Sequence, residues 1–292
     1  METTCQSEVG RIRSIVIKKA ADAFIAEDVL ESQWKALSFL EKPKLAAALD
    51  EFTSFESLLK RNGTTFYYLP QDDKVTIDSL YCRDAAIATD HGMILCNMGK
   101  TSRVNEPEAE HRLFTQYQIP VLGRINAPGT IEGGDCAWVN RNTLAVGESY
   151  RTNQEGIMQL KQMLLSFGIE VLVVSLPHYK GPTDVFHLMS VFSPVDDDLA
   201  AVYSPLMPIA FRNELIRRGY RLVEVPEDEF ESMGCNVLAL APRDCVMLKG
   251  NPETKRRLEE AGCKVFEYEG GEISLKGGGG PTCLTRPIER YV

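Results

Sequence analysis

The chain has 292 residues, 44% hydrophobic and 25% charged, the balance of an ordinary soluble globular protein with enough length for a real core. A net charge of −9 and a pI near 5.1 argue against nucleic acid and anionic membranes as partners. No apolar run approaches the ~20 residues that span a bilayer, and the polar start from Met1 to Glu8 lacks the apolar centre of an export signal. The eight cysteines (5, 82, 96, 136, 235, 245, 263 and 283) form no CxxC pair, so they read as reduced thiols in a cytoplasmic protein.

From the N-terminus onward one phrase recurs: a helix tail, a turn residue, then a short apolar strand. It appears first in residues 58–70, where Leu45, Leu49, Phe52, Leu58 and Leu59 fall on one face of the preceding helix. Residues 21–42, irregular and beside this first copy, are the expected lid. The later copies are residues 113–123, 164–177, 216–226 and 258–267. The last helix begins at Pro252, with Asn251 as its expected N-cap. Gly63, Gly168, Gly219 and Gly262 stand where a helix end needs left-handed backbone, and Gln118 takes that slot in the second copy. These turn positions lie 55, 50, 51 and 43 residues apart, and a period near 50 marks a repeat architecture. Between copies lie hairpins, 85–89 with 93–96 and 136–139 with 143–146. The unit is therefore ββαβ, repeated five times. Such a unit cannot bury a core alone, so the expectation is one closed α/β domain over residues 1–292, strands inward and helices outward.

The repeat sorts the residues that carry chemistry. Asp78 and Asp84 follow the first copy's strand, Glu132 the second, His187 the third, Asn236 the fourth and Cys283 the fifth. Cys283 comes directly after Gly277-Gly278-Gly279-Gly280-Pro281-Thr282, where backbone without Cβ atoms can approach a ligand. In a ring, equivalent points of the repeat meet at one end of the axis. A thiol, an imidazole and carboxylates would then converge as nucleophile, acid/base and orienting acid. The thiolate is the competent nucleophile and needs a neighbouring base or cation. His187 can move protons near neutral pH, Glu132 can hold its tautomer, and Asp84 is left to face a cationic substrate. Taken singly, these residues read as less. His187 lies in an apolar run, Glu132 in a tight turn, and Asp84 beside Arg83 resembles a surface ion pair worth ~0–1 kcal/mol. Their shared place in the repeat makes them a site. His178 is a weaker competitor for the imidazole role, and His91 and His111 receive none.

On residues 131–135, 146–156, His187-Leu188 and 277–285, the chain resembles the guanidino-group-modifying superfamily of arginine deiminases, dimethylarginine dimethylaminohydrolases and amidinotransferases. The likeness runs from about residue 10 to 290 and implies a pseudo-fivefold α/β propeller of ββαβ modules. It makes Cys283 the nucleophile, His187 the acid/base, Glu132 its carboxylate partner and Asp84 the grip on guanidinium. Asp78, Arg103 and Arg151 would hold the amino-acid end, the two arginines each nineteen residues after an acid. Met189 stands where deiminases commonly carry an Asp, as expected of a dimethylargininase, whereas Arg83 before Asp84 is deiminase-like. The implied activity is hydrolysis of an Nω-methylated arginine to citrulline and an amine through a covalent cysteine thiouronium. No metal or organic cofactor is required, and the partner is a small guanidino molecule, with a homodimer left open. The alternatives are a deiminase or dihydrolase on unmethylated arginine, an amidinotransferase, and a non-catalytic arginine-binding protein.

Overall fold

A computed structural model describes residues 2–292. Five small sheets are arranged as a pseudo-fivefold α/β propeller. The first module holds β1 (Thr3–Thr4), β2 (Arg11–Ile17), α1 (Ala20–Phe24), α2 (Glu27–Gln33), α3 (Leu45–Leu59) and β3 (Thr65–Tyr68). The second runs β4 (Ala86–Ile87), β5 (Met93–Leu95), α4 (Glu106–Gln116) and β6 (Val121–Arg124). The third is β7 (Cys136–Asn140), β8 (Thr143–Glu148), α5 (Gln154–Leu164) and β9 (Glu170–Ser175). The fourth is β10 (Phe192–Asp196), β11 (Leu199–Val202), α6 (Ile209–Arg217) and β12 (Arg221–Glu224). A short α7 (Glu227–Phe230) leads into the fifth: β13 (Val237–Ala241), β14 (Asp244–Leu248), α8 (Pro252–Glu260) and β15 (Lys264–Tyr268).

In modules two to five an antiparallel hairpin is followed by a helical crossover that returns a strand parallel to the hairpin's second strand. The middle strands are buried almost throughout, whereas β3, β6, β9 and β12 lie at exposed edges. This explains the apolar runs: a middle strand in such a sheet is covered on both faces. The five turn positions all take left-handed backbone, with φ of 71° at Gly63, 55° at Gln118, 69° at Gly168, 90° at Gly219 and 92° at Gly262. Gln118 does so against a steric cost on the order of 1 kcal/mol.

The first module departs from the others. The antiparallel partner of β2 is β16 (Arg286–Tyr291), from the opposite end of the chain. The ring is thus closed by its own C-terminus, and Cys283 lies in the seam between β15 and β16.

Two local expectations are corrected. Asn251 stands before α8 but makes no cap bond; its amide donates to the carbonyls of Ser232 and Leu248. Glu229 of α7 caps instead, accepting the N–H groups of Glu253 and Thr254 at 2.7 Å each, where a carboxylate also suits the helix dipole. Residues 21–42 are not irregular throughout: they contain most of α1 and all of α2, and Phe24, Leu30, Leu37 and Phe39 belong to the core packed on α3. Ser38 and Leu40 of this segment line the same cavity as Cys283 and His187. No helix among the described residues is long and apolar enough to cross a membrane.

Candidate active site

Short 3-10 turns open modules two, three and four, and each carries or directly follows one polar residue of the predicted set: Cys82–Ala85 with Asp84, Gly133–Asp135 after Glu132, and Leu188–Ser190 after His187. His187 Nε2 lies 2.9 Å from Glu132 Oε2. Asp84 Oδ1 accepts the Gly134 N–H at 2.9 Å. Gly134 is obligatory here, since a Cβ would overlap His187 Nδ1 and come within 2.8 Å of Asp84 Oδ1. All three side chains are buried, and their ligating atoms lie within 4.8 Å of one another. That spacing would suit a metal ion, but every member already has a protein partner. Arg103 and Gly134 hold Asp84, and the Lys100 N–H (2.9 Å) and His187 hold Glu132.

The glycine run is shaped by the side chains it crosses. A Cβ on Gly277 or Gly279 would overlap the Tyr81 ring, and Gly278 has φ of 75°. Asn236 Oδ1 accepts the Thr282 N–H at 3.0 Å and its hydroxyl at 2.9 Å, while Asn236 Nδ2 lies 3.7 Å from Cys283 Sγ. Arg83 is the second fastener. It is wholly buried, donating from Nε to the Thr282 carbonyl at 2.8 Å and pairing with Glu8 at 3.3 Å. The surface pair with Asp84 suggested by the sequence is therefore absent. Cys283 and His187 both line a cavity of about 440 Å³, walled by Phe186, Met189, Phe230, Met233 and Leu275. His178 is exposed and bonds Tyr150, outside this cluster.

Charges in the site oppose desolvation. Burial alone would depress the His187 imidazole, but the carboxylates of Asp135, Asp84 and Glu132 outweigh it and raise the pKa to about 9. Burial would raise Asp84, yet Arg103 and His187 keep it below its ordinary value. Glu132 is likewise lowered, by the His187 hydrogen bond and charge against burial. Burial and Asp84 push the Cys283 thiol up.

The three residues predicted to hold an amino-acid end are dissimilar. Asp78 meets the Lys100 ammonium at 2.7 Å. Arg103 is locked: it forks onto Glu106 at 2.9 and 2.7 Å, meets Asp84 at 2.5 Å and donates to the Tyr81 carbonyl at 2.7 Å. Arg151 has only a 3.8 Å ion pair with Glu132. Lys100, Glu106 and Asp135 were not singled out in the sequence. Asp135 is fully buried, accepting the Leu188 N–H at 2.9 Å and the Ser149 hydroxyl at 2.6 Å, and so steadies the backbone beside His187. Its carboxylate in the Glu132-Gly133-Gly134-Asp135 turn was the available signal.

The family described as N,N dimethylarginine dimethylhydrolase, eukaryotic, matches residues 26–290. The chain is 28% identical to the N(G),N(G)-dimethylarginine dimethylaminohydrolase of Pseudomonas aeruginosa, over 85% of this chain and 91% of that one. It is 27% identical to the uncharacterised protein YkgA of Bacillus subtilis, over 99% and 96%. A solved structure of the Pseudomonas enzyme with citrulline superposes with a TM-score of 0.77 at 26% identity, covering 96% of this chain and all of that one. The amidinotransferase SxtG of Microseira wollei shares the fold, with a TM-score of 0.79 at 15% identity over 99% and 98% of the two chains.

Proposed function

The chain belongs to the N,N-dimethylarginine dimethylhydrolase family and is a hydrolase of guanidino groups; from that premise we propose that it converts an Nω-methylated arginine to citrulline and a methylamine. The observation that carries this is one cavity faced by both Cys283 and His187, with Glu132 on the imidazole and Asp84 beside it. Met189 on the cavity wall supports methylated nitrogens. An uncharged thioether accommodates alkyl groups but would leave the N–H donors of an unsubstituted guanidinium unpaired.

In this mechanism Asp84 holds the guanidinium charge and the Cys283 thiolate attacks its carbon, forming a C–S bond. His187, protonated at neutral pH with its pKa near 9, gives its proton to the departing amine as the C–N bond breaks. The resulting neutral imidazole takes a proton from water, hydroxide adds to the thiouronium carbon, and the thiolate leaves. The raised Cys283 thiol carries its proton in the free enzyme. A docked cation favours the thiolate, and that proton passes to bulk water because His187 already holds one. The cycle closes when the protonated ureido product returns a proton to the departing thiolate. The eight free thiols support work in a reducing compartment such as the cytoplasm.

A citrulline assay with asymmetric dimethylarginine and arginine side by side tests the substrate. Citrulline from dimethylarginine is expected, and citrulline from arginine alone would refute it. Alkylation by iodoacetamide without substrate should follow a pKa at or above the ordinary thiol value of about 8.5. A much lower value would mean a standing thiolate–imidazolium pair.

A further inference from the structure

We propose that the cavity beside His187 seats a hydrocarbon arm, larger than two methyl groups, on the nitrogen that leaves the guanidinium. The substrates this fits are arginines with an alkyl or aralkyl group on that nitrogen, and the second product is the corresponding amine. This rests on the hydrolysis proposed above and extends its leaving group beyond methylamines.

The imidazole that protonates the departing amine stands on the cavity wall together with Cys283. Whatever is bonded to the nitrogen facing His187 therefore projects into that space. Beyond the imidazole the wall is largely apolar, with Phe186, Met189, Phe230, Met233 and Leu275. The cavity holds about 440 Å³, whereas a methyl group takes ~30 Å³, the room of one water molecule in the liquid. Two methyl groups would leave most of it to water against apolar walls, which is unfavourable. An apolar cavity of ~150 Å³ is already enough to take up benzene.

Packing around the cavity keeps it open. Phe230 stacks on Tyr203, with ring centroids 3.9 Å apart and planes 12° from parallel. Tyr179 packs on Phe230 and on Phe186, at centroid distances of 6.1 and 5.4 Å. Its hydroxyl and the Lys180 ammonium both donate to the Glu231 carboxylate, Lys180 at 2.7 Å. These contacts clamp the segment before His187 to α7 and the residue after it, so the aromatic wall is fixed by its own partners. A gap in a packed interior forfeits contacts along its lining, and an arm filling this one would restore them.

The charges on the cavity wall do not suit the other end of the substrate. Lys180 is taken up by Glu231 and Lys276 by Glu272, each at 2.7 Å. Asp184 lines the cavity with no ion pair or side-chain hydrogen bond among the described residues, and it would repel a carboxylate. Asp78, Arg103 and Arg151, expected at the amino-acid end, lie outside this lining. The guanidinium thus divides the site into an amino-acid side and a leaving-group side, and the free volume is on the second.

Turnover of Nω,Nω-dimethyl-, Nω-propyl- and Nω-benzyl-L-arginine by the native full chain tests this, with citrulline and the released amine both measured. In each case the C–N bond to the substituted nitrogen breaks, that nitrogen leaves with the His187 proton, and water supplies the oxygen of citrulline. The better of the two larger substrates should reach at least about one-tenth of the dimethylarginine kcat/KM, whereas a pocket sized for methyl groups would reject both by ~10²-fold or more. A value below one-tenth for both overturns the proposal, whether or not any variant folds. So does release of ammonia with the arm retained on the ureido product, which would place the arm on the other side of the guanidinium. Met233→Trp, which takes up cavity volume, should lower the ratio of benzyl to dimethyl kcat/KM ~tenfold. An unchanged ratio in a Met233→Trp protein with native melting behaviour also overturns it. Dimethylarginine hydrolysed while both larger substrates fail sinks this inference alone. No citrulline from any of the three sinks the reaction as well.

Discussion

Asp84 and Glu132 occupy matching places in adjacent modules, and each is followed nineteen residues later by an arginine. The arginines are equally buried, Arg103 at 5% and Arg151 at 6% exposure. Yet Arg103 meets Asp84 at 2.5 Å and is saturated, whereas Arg151 stands 3.8 Å from Glu132 with no side-chain hydrogen bond among the described residues. The difference comes from the first residue of the helix that follows. In α4 it is Glu106, which forks onto Arg103; in α5 it is Gln154, which turns away to Glu148 at 2.7 Å. Repetition therefore brings equivalent residues to equivalent places, and on the proposed function that single charge is what ties one arginine to the protein and leaves the other for a ligand.

The largest effects should come from the acids themselves, and they should differ in kind. Asp84→Asn removes the group proposed to hold the guanidinium charge, and kcat/KM should fall ~10³-fold. Glu132→Gln removes the imidazole's partner, and the fall should be ~10²-fold, mostly in kcat. Its signature is the pH profile. The general acid must be protonated, so native activity should decline as pH rises through about 9, and the Glu132→Gln limb should sit lower. Stability follows the same sign. The folded state favours the imidazolium, so this contribution is complete below the ordinary 6.5 and is lost as pH rises through about 9. A Glu132→Gln limb that stays at the native position would dissolve the distinction between the two acids.

Next come the arginines. Arg103→Ala would leave Asp84 and Glu106 buried without their cation, a loss of about 3–5 kcal/mol. At roughly 2–4 °C per kcal/mol for a chain of this size, melting should drop by about ten degrees. Arg151→Ala breaks no short contact. Its stability should stay within about 1 kcal/mol of native, and KM for the amino-acid substrate should rise about tenfold. Thermal melts beside steady-state kinetics check both, and equal destabilisation by the two substitutions would break the comparison.

These differences mark the limit of what the sequence discloses. The turn glycines and the strand–helix phrase encode local conformation, so the modules were legible, and Gln118 was legible as a glycine substitute because the period demanded it. The convergence of Asp84, Glu132 and His187 followed from the same period, which also carries Asn236 to Cys283. The closure by β16 was not legible, because a strand paired with the opposite chain end leaves no local pattern. Partner choice among long side chains was hidden too. Arg83 stands next to Asp84 in the chain but reaches Glu8 and the Thr282 carbonyl, and Lys100 reaches Asp78 and Leu37. A guanidinium or ammonium on a flexible stem can reach several acids, and spacing alone does not rank them.

The smallest effect is the sharpest test of the comparison. Gln154→Glu would give α5 the residue that α4 already has, three positions after its arginine in both modules. An acid at the first position of a helix suits the dipole, so the fold should not suffer. If one carboxylate is what distinguishes the modules, the new side chain should draw Arg151 from the substrate and raise KM a few-fold, on the order of 1 kcal/mol, with kcat little changed. Repulsion from Glu148 and Glu155 works against the capture, which is why the expected shift is small. A Gln154→Glu enzyme with native KM and an unchanged response to Arg151→Ala would place the cause in backbone geometry, and the single-charge account of the two arginines would fall.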